Sequence, residues 1–414
     1  MNMCQVRELL SQGSWKKLTF EKTQELERQY GTPFYLFDSA KAQDNARCLK
    51  EFFGDEAELC YSIKANPWLA EDLAKAADYL EVCTDGEFQL CERLGIRGEQ
   101  LIYEGPCKTE DNLRKAVREG FHRISVDSSR QLERVRRIAR EEGKMGVPVL
   151  LRLFSGTQFG IETKEAGKIL KRGCPELDIC GIHYYRGTQR IYPQQLGREL
   201  QELMGQLLNL QELSGFFPKE LELGPGLGVP YFLEDKEEDF MDSLREVKRF
   251  AAKLAAKKCR VVLEAGRCLT ASAGCFVSRI EEEKRLCGKR YLFLNAGTSQ
   301  MEYYGAALGR RTPRYDVLCQ KTDGREEEAV ICGCLCAAGD VFARAGSVPK
   351  EAGTGDYFVF YHTGAYMASE SRAQFLCLDF PPLLMYNKEN NTFWEKRGRI
   401  SSYDLEKRKK EGDR

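Results

Sequence analysis

Between Leu59 and Arg267 the chain carries eight short runs of strand-forming residues, separated by charged stretches with helical periodicity: LCYSIKAN, YLEVCTD, LIYEGP, RISVDS, PVLLRLF, ICGIHYYRG, LELGPG and RVVLEAGR. Strands joined through helical crossovers lie parallel to one another. Eight such units in series, without an evident reversal, favour closure into a (β/α)8 barrel of the TIM type over an open doubly wound sheet. Each run ends in residues with chemical potential: Lys64, Asp85, Gly105, Asp127, Arg152, His183 with Tyr185, Gly224, and Glu264 with Arg267. Barrels place their chemistry at this end of their strands. A barrel is therefore expected over residues 36–270.

Beyond Arg267 the texture changes. YLFLNAG, EEAVICGCLC and DYFVFYHTGAY are separated by turn-rich segments without regular helices, which predicts an antiparallel β domain over 271–414. Residues 1–35 are expected to hold a helix with apolar Val6, Leu9 and Leu10, a turn at Gly31-Thr32-Pro33, and contacts with the β domain. Lysine plus arginine and aspartate plus glutamate number 63 each, so no net field draws nucleic acid or an anionic membrane. No apolar run reaches the roughly 20 residues of a membrane span, and the start lacks a secretory apolar core, so the expected address is the cytoplasm. The 17 cysteines are scattered and odd in number, as buried reduced thiols would be. Three histidines, and a lone CxCxC cluster at Cys332, Cys334 and Cys336, give little material for a metal site, and none is expected.

Three features carry chemistry. Lys64 closes an apolar strand; it either snorkels to solvent or, desolvated, becomes a nucleophilic amine able to hold an aldehyde as a Schiff base. The glycine loop Gly224-Pro225-Gly226-Leu227-Gly228 follows a strand, and serves either packing or the close approach of backbone N–H groups to a phosphate. Glu264-Ala265-Gly266-Arg267 forms either a structural ion pair, or a carboxylate for a pyridine nitrogen beside an arginine for a phosphate. Barrels commonly bind phosphate near strands seven and eight, where the last two features fall. Together the three point to pyridoxal 5'-phosphate.

With those motifs in place, the chain resembles the fold type III pyridoxal-phosphate decarboxylases, the family of diaminopimelate, ornithine and arginine decarboxylases. The resemblance runs through Gly31-Thr32-Pro33-Phe34-Tyr35, Tyr61-Ser62-Ile63-Lys64-Ala65-Asn66, Gln158-Phe159-Gly160-Ile161, Gly181 to Gln189, Glu264 to Arg267, Cys336 to Asp340 and Gly364-Ala365-Tyr366. It implies a barrel with a C-terminal β domain, and a homodimer with shared active sites. It also implies that Lys64 carries the cofactor, that Glu264 faces the ring nitrogen, and that Thr188, Gly226, Gly228, Gly266, Arg267 and Tyr366 surround the phosphate. Glu81, Arg152 and His183 match positions lining the cofactor. Cys336 and Asp340, with Tyr366, would meet the substrate, the first two reaching in from the partner subunit.

Departures from the family pattern bear on the substrate. The ring-stacking position of an HxH sequence is Tyr185 here, and an aromatic face still packs on a ring. Pro225 removes one possible N–H donor. Ala337 stands where basic-amino-acid and diaminopimelate decarboxylases place an acid for the distal amine, and the RPxxY-like segment is missing after Asn295-Ala296-Gly297, where the chain reads Met301-Glu302-Tyr303-Tyr304-Gly305. Several details are similar to the L-glutamyl-carrier-protein decarboxylases of butirosin biosynthesis: His183 with Tyr185, Gly187-Thr188-Gln189, Val229-Pro230-Tyr231-Phe232, Gly333-Cys334-Leu335-Cys336, and Phe375 with Pro381-Pro382. That similarity implies decarboxylation of a conjugated, carrier-bound or otherwise non-standard amino acid in a biosynthetic pathway. Lys64, Cys336 and Glu264 would be its catalytic residues. Decarboxylation of diaminopimelate or another free amino acid, a racemase or epimerase reaction, and a silent partner-binding relative like an antizyme inhibitor are the alternatives.

Overall fold

The computed structural model describes residues 7–10, 15, 18–301, 303 and 308–406. Val6, Tyr304-Gly305 and the tail beyond Glu406 lie outside the described residues. The structure divides into two compact units: residues 1–9, 43–229 and 236–269 form one, and residues 10–42, 230–235 and 270–414 the other.

The first strand, β1 (Phe34–Asp38), belongs to the second unit, and residues 36–42 go with it, although the sequence reading assigned them to the barrel. The eight expected runs then appear in order: β2 (Glu58–Ser62), β3 (Tyr79–Val82), β4 (Leu101–Tyr103), β5 (Arg123–Val126), β6 (Val147–Arg152), β7 (Leu177–Tyr185), β8 (Glu220–Gly224) and β9 (Arg260–Ala265). Each pairs in parallel with the next, and β2 pairs with β9, Cys60 opposite Glu264, to close the barrel. Local signals set the intervening helices. Thr109 caps Glu110–Glu119 by accepting from the Asn112 N–H, and Gly120 ends that helix at φ 68°, a left-handed conformation that costs glycine little. The long helix Pro193–Ser214 begins on proline and buries Leu196, Leu200, Leu203, Leu207 and Leu210 along one face, the spacing of an amphipathic helix against a sheet.

In the second unit β10 (Gly274–Leu286), β11 (Lys289–Leu294), β12 (Tyr315–Leu318), β13 (Glu326–Cys332), β14 (Val341–Pro349), β15 (Tyr357–Tyr361), β16 (Leu383–Asn387) and β17 (Thr392–Arg397) join β1 in one nine-stranded sheet. The sheet is mixed rather than antiparallel throughout: β1 runs parallel to β16, and β11 parallel to β13. β1 is buried on both faces. Phe34 and Leu36 join a core with Trp15, Leu26, Val277 and Tyr361, while the Tyr35 ring lies 4.7 Å from that of Phe276. The indole of Trp15 donates to the Ser272 carbonyl at 3.2 Å. Among the described residues no helix is long and apolar enough to cross a membrane.

Candidate active site

The apolar strand that brings Lys64 to the barrel mouth ends in a one-turn helix, Ile63–Ala65. Tyr61 and Asn66 flank that turn and brace it: the Tyr61 hydroxyl donates to the Asn66 carbonyl at 2.7 Å, and Asn66 Oδ1 accepts from the Trp68 N–H at 3.1 Å. Lys64 Nζ ion-pairs with Glu81 of β3, stands 3.6 Å from Cys83 Sγ, and lies 5.7 Å from the Tyr185 ring centroid. Cys83 also donates to Glu81 at 2.7 Å. Burial first, and the Glu81 charge second, push this thiol well above its usual range, so it stays a donor.

Contacts between strands that are not neighbours must run through the barrel lumen, and here they are polar. Ser125 Oγ of β5 is 2.8 Å from His183 Nδ1 of β7. Glu104 Oε1, just past β4, is 3.0 Å from the same nitrogen, and Glu264 Oε1 of β9 is 3.2 Å from Nε2. Glu222 of β8 has both carboxylate oxygens buried without a hydrogen-bond partner, beside Glu104 and His183. Burial lowers the His183 pKa, but Glu104 and Glu264 outweigh it and raise the imidazole to about 9. Burial, then Glu104 and Glu81, lift Glu264 to about 7. Burial would raise Glu104 too, yet His183, Lys64 and Arg152 hold it well below the carboxylate range. Burial and the neighbouring acids drive Glu222 far above that range, so it is a neutral acid.

The glycine loop is built as much for packing as for a ligand. A side chain on Gly226, at φ 62°, would meet the Gly187 carbonyl at 1.9 Å, and one on Gly228 would meet the Gln189 backbone at 3.0 Å. The two loops are zipped together: the Arg190 N–H donates to the Gly226 carbonyl at 2.8 Å, and the Gly228 N–H donates to the Arg190 carbonyl at 3.3 Å. Arg267, buried, reaches Thr188 Oγ1 at 3.4 Å. Gly266 lies against the turn of Lys64, since its Cβ would stand 2.8 Å from that of Ala65. Arg152 sits between the Phe159 ring at 4.6 Å and the Tyr185 ring at 6.0 Å, and faces Asp127 at 3.6 Å.

The structure thus gathers Lys64, Glu81, Arg152, His183, Tyr185, Thr188, Gly226, Gly228, Glu264, Gly266 and Arg267 in the barrel unit. His183 lies fully buried between two carboxylates. Cys336, Asp340 and Tyr366 belong to the second unit. Cys336 and Ala337 are exposed, on the turn after β13. Asp340 accepts hydrogen bonds from the Thr298 N–H and hydroxyl at 2.7 and 2.8 Å and from the Leu335 N–H at 2.7 Å. Tyr366 follows β15 at φ 68°, a strained backbone for a non-glycine residue. Sequence reading passed over Glu104, Ser125 and Glu222. The available signal was the one used for Lys64: a charged residue in an otherwise apolar run, in LIYEGP and LELGPG.

The barrel mouth fits a flat, aldehyde-bearing aromatic phosphate. A Cβ at Gly224 would fill the gap between Tyr185 Cδ2 at 2.5 Å and Glu264 Oε2 at 2.6 Å, so the glycine keeps the space beside that carboxylate open. A buried carboxylate beside that space is the group that would keep a ring nitrogen protonated. The fold and this donor set define a pyridoxal-phosphate barrel enzyme. Residues 40–271 match the profile of the pyridoxal-dependent decarboxylases, pyridoxal binding domain, and the chain belongs to that family. It is 27% identical over 366 residues to a diaminopimelate decarboxylase of Aquifex aeolicus, covering 83% of this chain and 84% of the relative. It is 26% identical over 377 residues to the L-glutamyl-[BtrI acyl-carrier protein] decarboxylase of Niallia circulans, covering 85% and 88%. The diaminopimelate decarboxylase structure from M. jannaschii in complex with L-lysine superposes with a TM-score of 0.80 at 23% identity, over 92% of each chain. The protein is a pyridoxal-phosphate-dependent amino acid decarboxylase.

Proposed function

We propose that this decarboxylase acts on an amino acid whose distal end is conjugated, carrier-bound or uncharged, with Lys64 holding the cofactor. The observation that supports the catalytic half is the meeting of Lys64, Tyr185 and the Glu264 carboxylate at one barrel mouth. Bound pyridoxal phosphate supplies the electron sink into which the α-carboxylate bond breaks. Glu81 orients the Lys64 amine, Tyr185 packs on the ring face, and Glu264 holds a proton on the ring nitrogen. Thr188, Gly226, Gly228, Gly266 and Arg267 would hold the phosphate, while Arg152, clamped by Phe159 and Asp127, would line the cofactor. Cys336 of a second copy returns a proton to the α-carbon, so active sites are shared between two subunits.

The substrate half is supported by Ala337, exposed beside Cys336, which has no charge to pair with a distal ammonium, and a buried unpaired charge is costly. The similarity to a carrier-protein decarboxylase points the same way. The test is a mass-spectrometric screen for carbon dioxide release from free, acylated and carrier-bound amino acids, with Lys64→Ala as the blank. Turnover confined to conjugated substrates is the expected outcome. Free diaminopimelate turned over as fast as any conjugate would defeat the substrate reading, and α-deuterium exchange without carbon dioxide would defeat decarboxylation itself.

A further inference from the structure

The catalytic reading leaves two buried carboxylates without a task, Glu104 and Glu222. One imidazole links the first to the ring partner: Glu104 Oε1 is 3.0 Å from His183 Nδ1, and Glu264 Oε1 is 3.2 Å from His183 Nε2. Around this chain the facing strands bring the carboxylates Glu81 and Glu222, the thiol Cys60 and the cations Lys64 and Arg152. Arg152 lies 3.6 Å from Asp127, which balances it. Four carboxylates then face Lys64 and His183. Ionising all four would bury two uncompensated charges, and the acid with no donor on either oxygen, Glu222, is the one that takes a proton. Three anions remain against two cations only if the imidazole is charged, and a protonated ligand nitrogen beside Glu264 completes the balance.

We infer that Glu104 is a positioning residue for the reaction: it holds His183 as an imidazolium, and His183 in turn keeps Glu264 as the anion that meets the ring nitrogen. The inference rests on Glu264 being the ring partner. The competing arrangement is a neutral imidazole whose bare Nδ1 accepts a hydrogen bond from Ser125, 2.8 Å away.

The chain has three histidines, which makes the test direct. Burial is the largest influence on the other two and pushes His122 down to about 4 and His362 down to about 3, so both rings are neutral at pH 7.5. Nitrogen NMR of 15N-histidine-labelled, cofactor-free protein should then show one doubly protonated ring and two neutral ones at pH 7.5. In Glu104→Gln the doubly protonated ring should disappear, while Ser125→Ala should keep it. In the loaded enzyme, Glu104→Gln should move the alkaline limb of the visible absorption titration to lower pH by about one unit or more. Three neutral rings in the wild type, a charged ring that survives Glu104→Gln, or its loss in Ser125→Ala would each overturn the inference. Should Glu104→Gln not fold, the wild-type titration decides, since the inference requires a ring that gives up its proton only above pH 8. A charged ring combined with an unchanged absorption spectrum in loaded Glu264→Gln would overturn the ring-nitrogen link while leaving the Glu104–His183 pair standing.

Discussion

His183 in the barrel and His362 in the second unit are both buried imidazoles, and they end at opposite protonation states. Burial disfavours the charged form of each. His183 has Glu104 and Glu264 within 3.2 Å of its two nitrogens and stays charged, whereas His362 has Arg314 and Lys41 as its strongest electrostatic neighbours and is neutral. Burial alone therefore does not decide a charge; the sign of the nearest partner does. The same contrast separates the units more widely. In the barrel both oxygens of the buried acid Glu222 lack donors, while in the second unit the buried acid Asp340 accepts from the Thr298 N–H and hydroxyl and from the Leu335 N–H.

The contrast breaks most visibly if the barrel acids prove structural. Lys64→Ala should abolish both the visible absorption of the bound cofactor and turnover, a loss of at least about 10³-fold measured by carbon dioxide release. Glu264→Gln should lower kcat by roughly 10²- to 10³-fold with cofactor and thermal midpoint retained. Asp340→Ala should do the reverse of that second pattern, costing about 1–3 kcal/mol in urea denaturation because the Thr298 and Leu335 N–H groups lose their acceptor, with activity falling only as the Cys336 turn loosens. If Asp340→Ala left stability untouched, its role as a brace would be wrong. Equal mixtures of Lys64→Ala and Cys336→Ala subunits should regain activity that neither has alone, provided the site is shared between copies.

The last expected effect concerns His362 and acid. Its folded-state pKa lies below the unfolded value, so the unfolded chain binds the proton more readily. Stability from this group is complete above pH 6.5 and is lost as pH falls toward about 3, by at most ~1.4 kcal/mol per pH unit. His362→Gln should flatten that limb of the urea-denaturation profile. A wild-type profile flat between pH 6.5 and 4 would remove the distinction between the two histidines.

The barrel was legible because its evidence is local. Eight runs of apolar residues with helices between them appear one after another in the chain, and caps such as Thr109 and Gly120 mark where each helix must begin and end. Lys64, the glycine loop and the Glu264–Arg267 pair were legible for the same reason, as charged or glycine residues punctuating apolar runs. The placement of β1 was not, because FYLFD reads the same whether its partners are barrel strands or β10 and β16, more than 200 residues away. The parallel pairings of the second sheet escaped notice likewise, since strand direction there follows from long-range connections rather than short turns.

What the sequence determined by itself was the order of elements and the residue types at strand ends, because periodicity, capping and turn chemistry act over a few residues. Which charges meet was decided only in three dimensions. His183, Glu222 and Glu264 sit on the neighbouring strands β7, β8 and β9 and Glu104 just past β4, and only closure brings the four side chains into one lumen, where removal from water makes each proton depend on the others. Asp340 shows the same dependence on the fold: its donors Thr298 and Leu335 follow β11 and β13 and meet only where those strands pair.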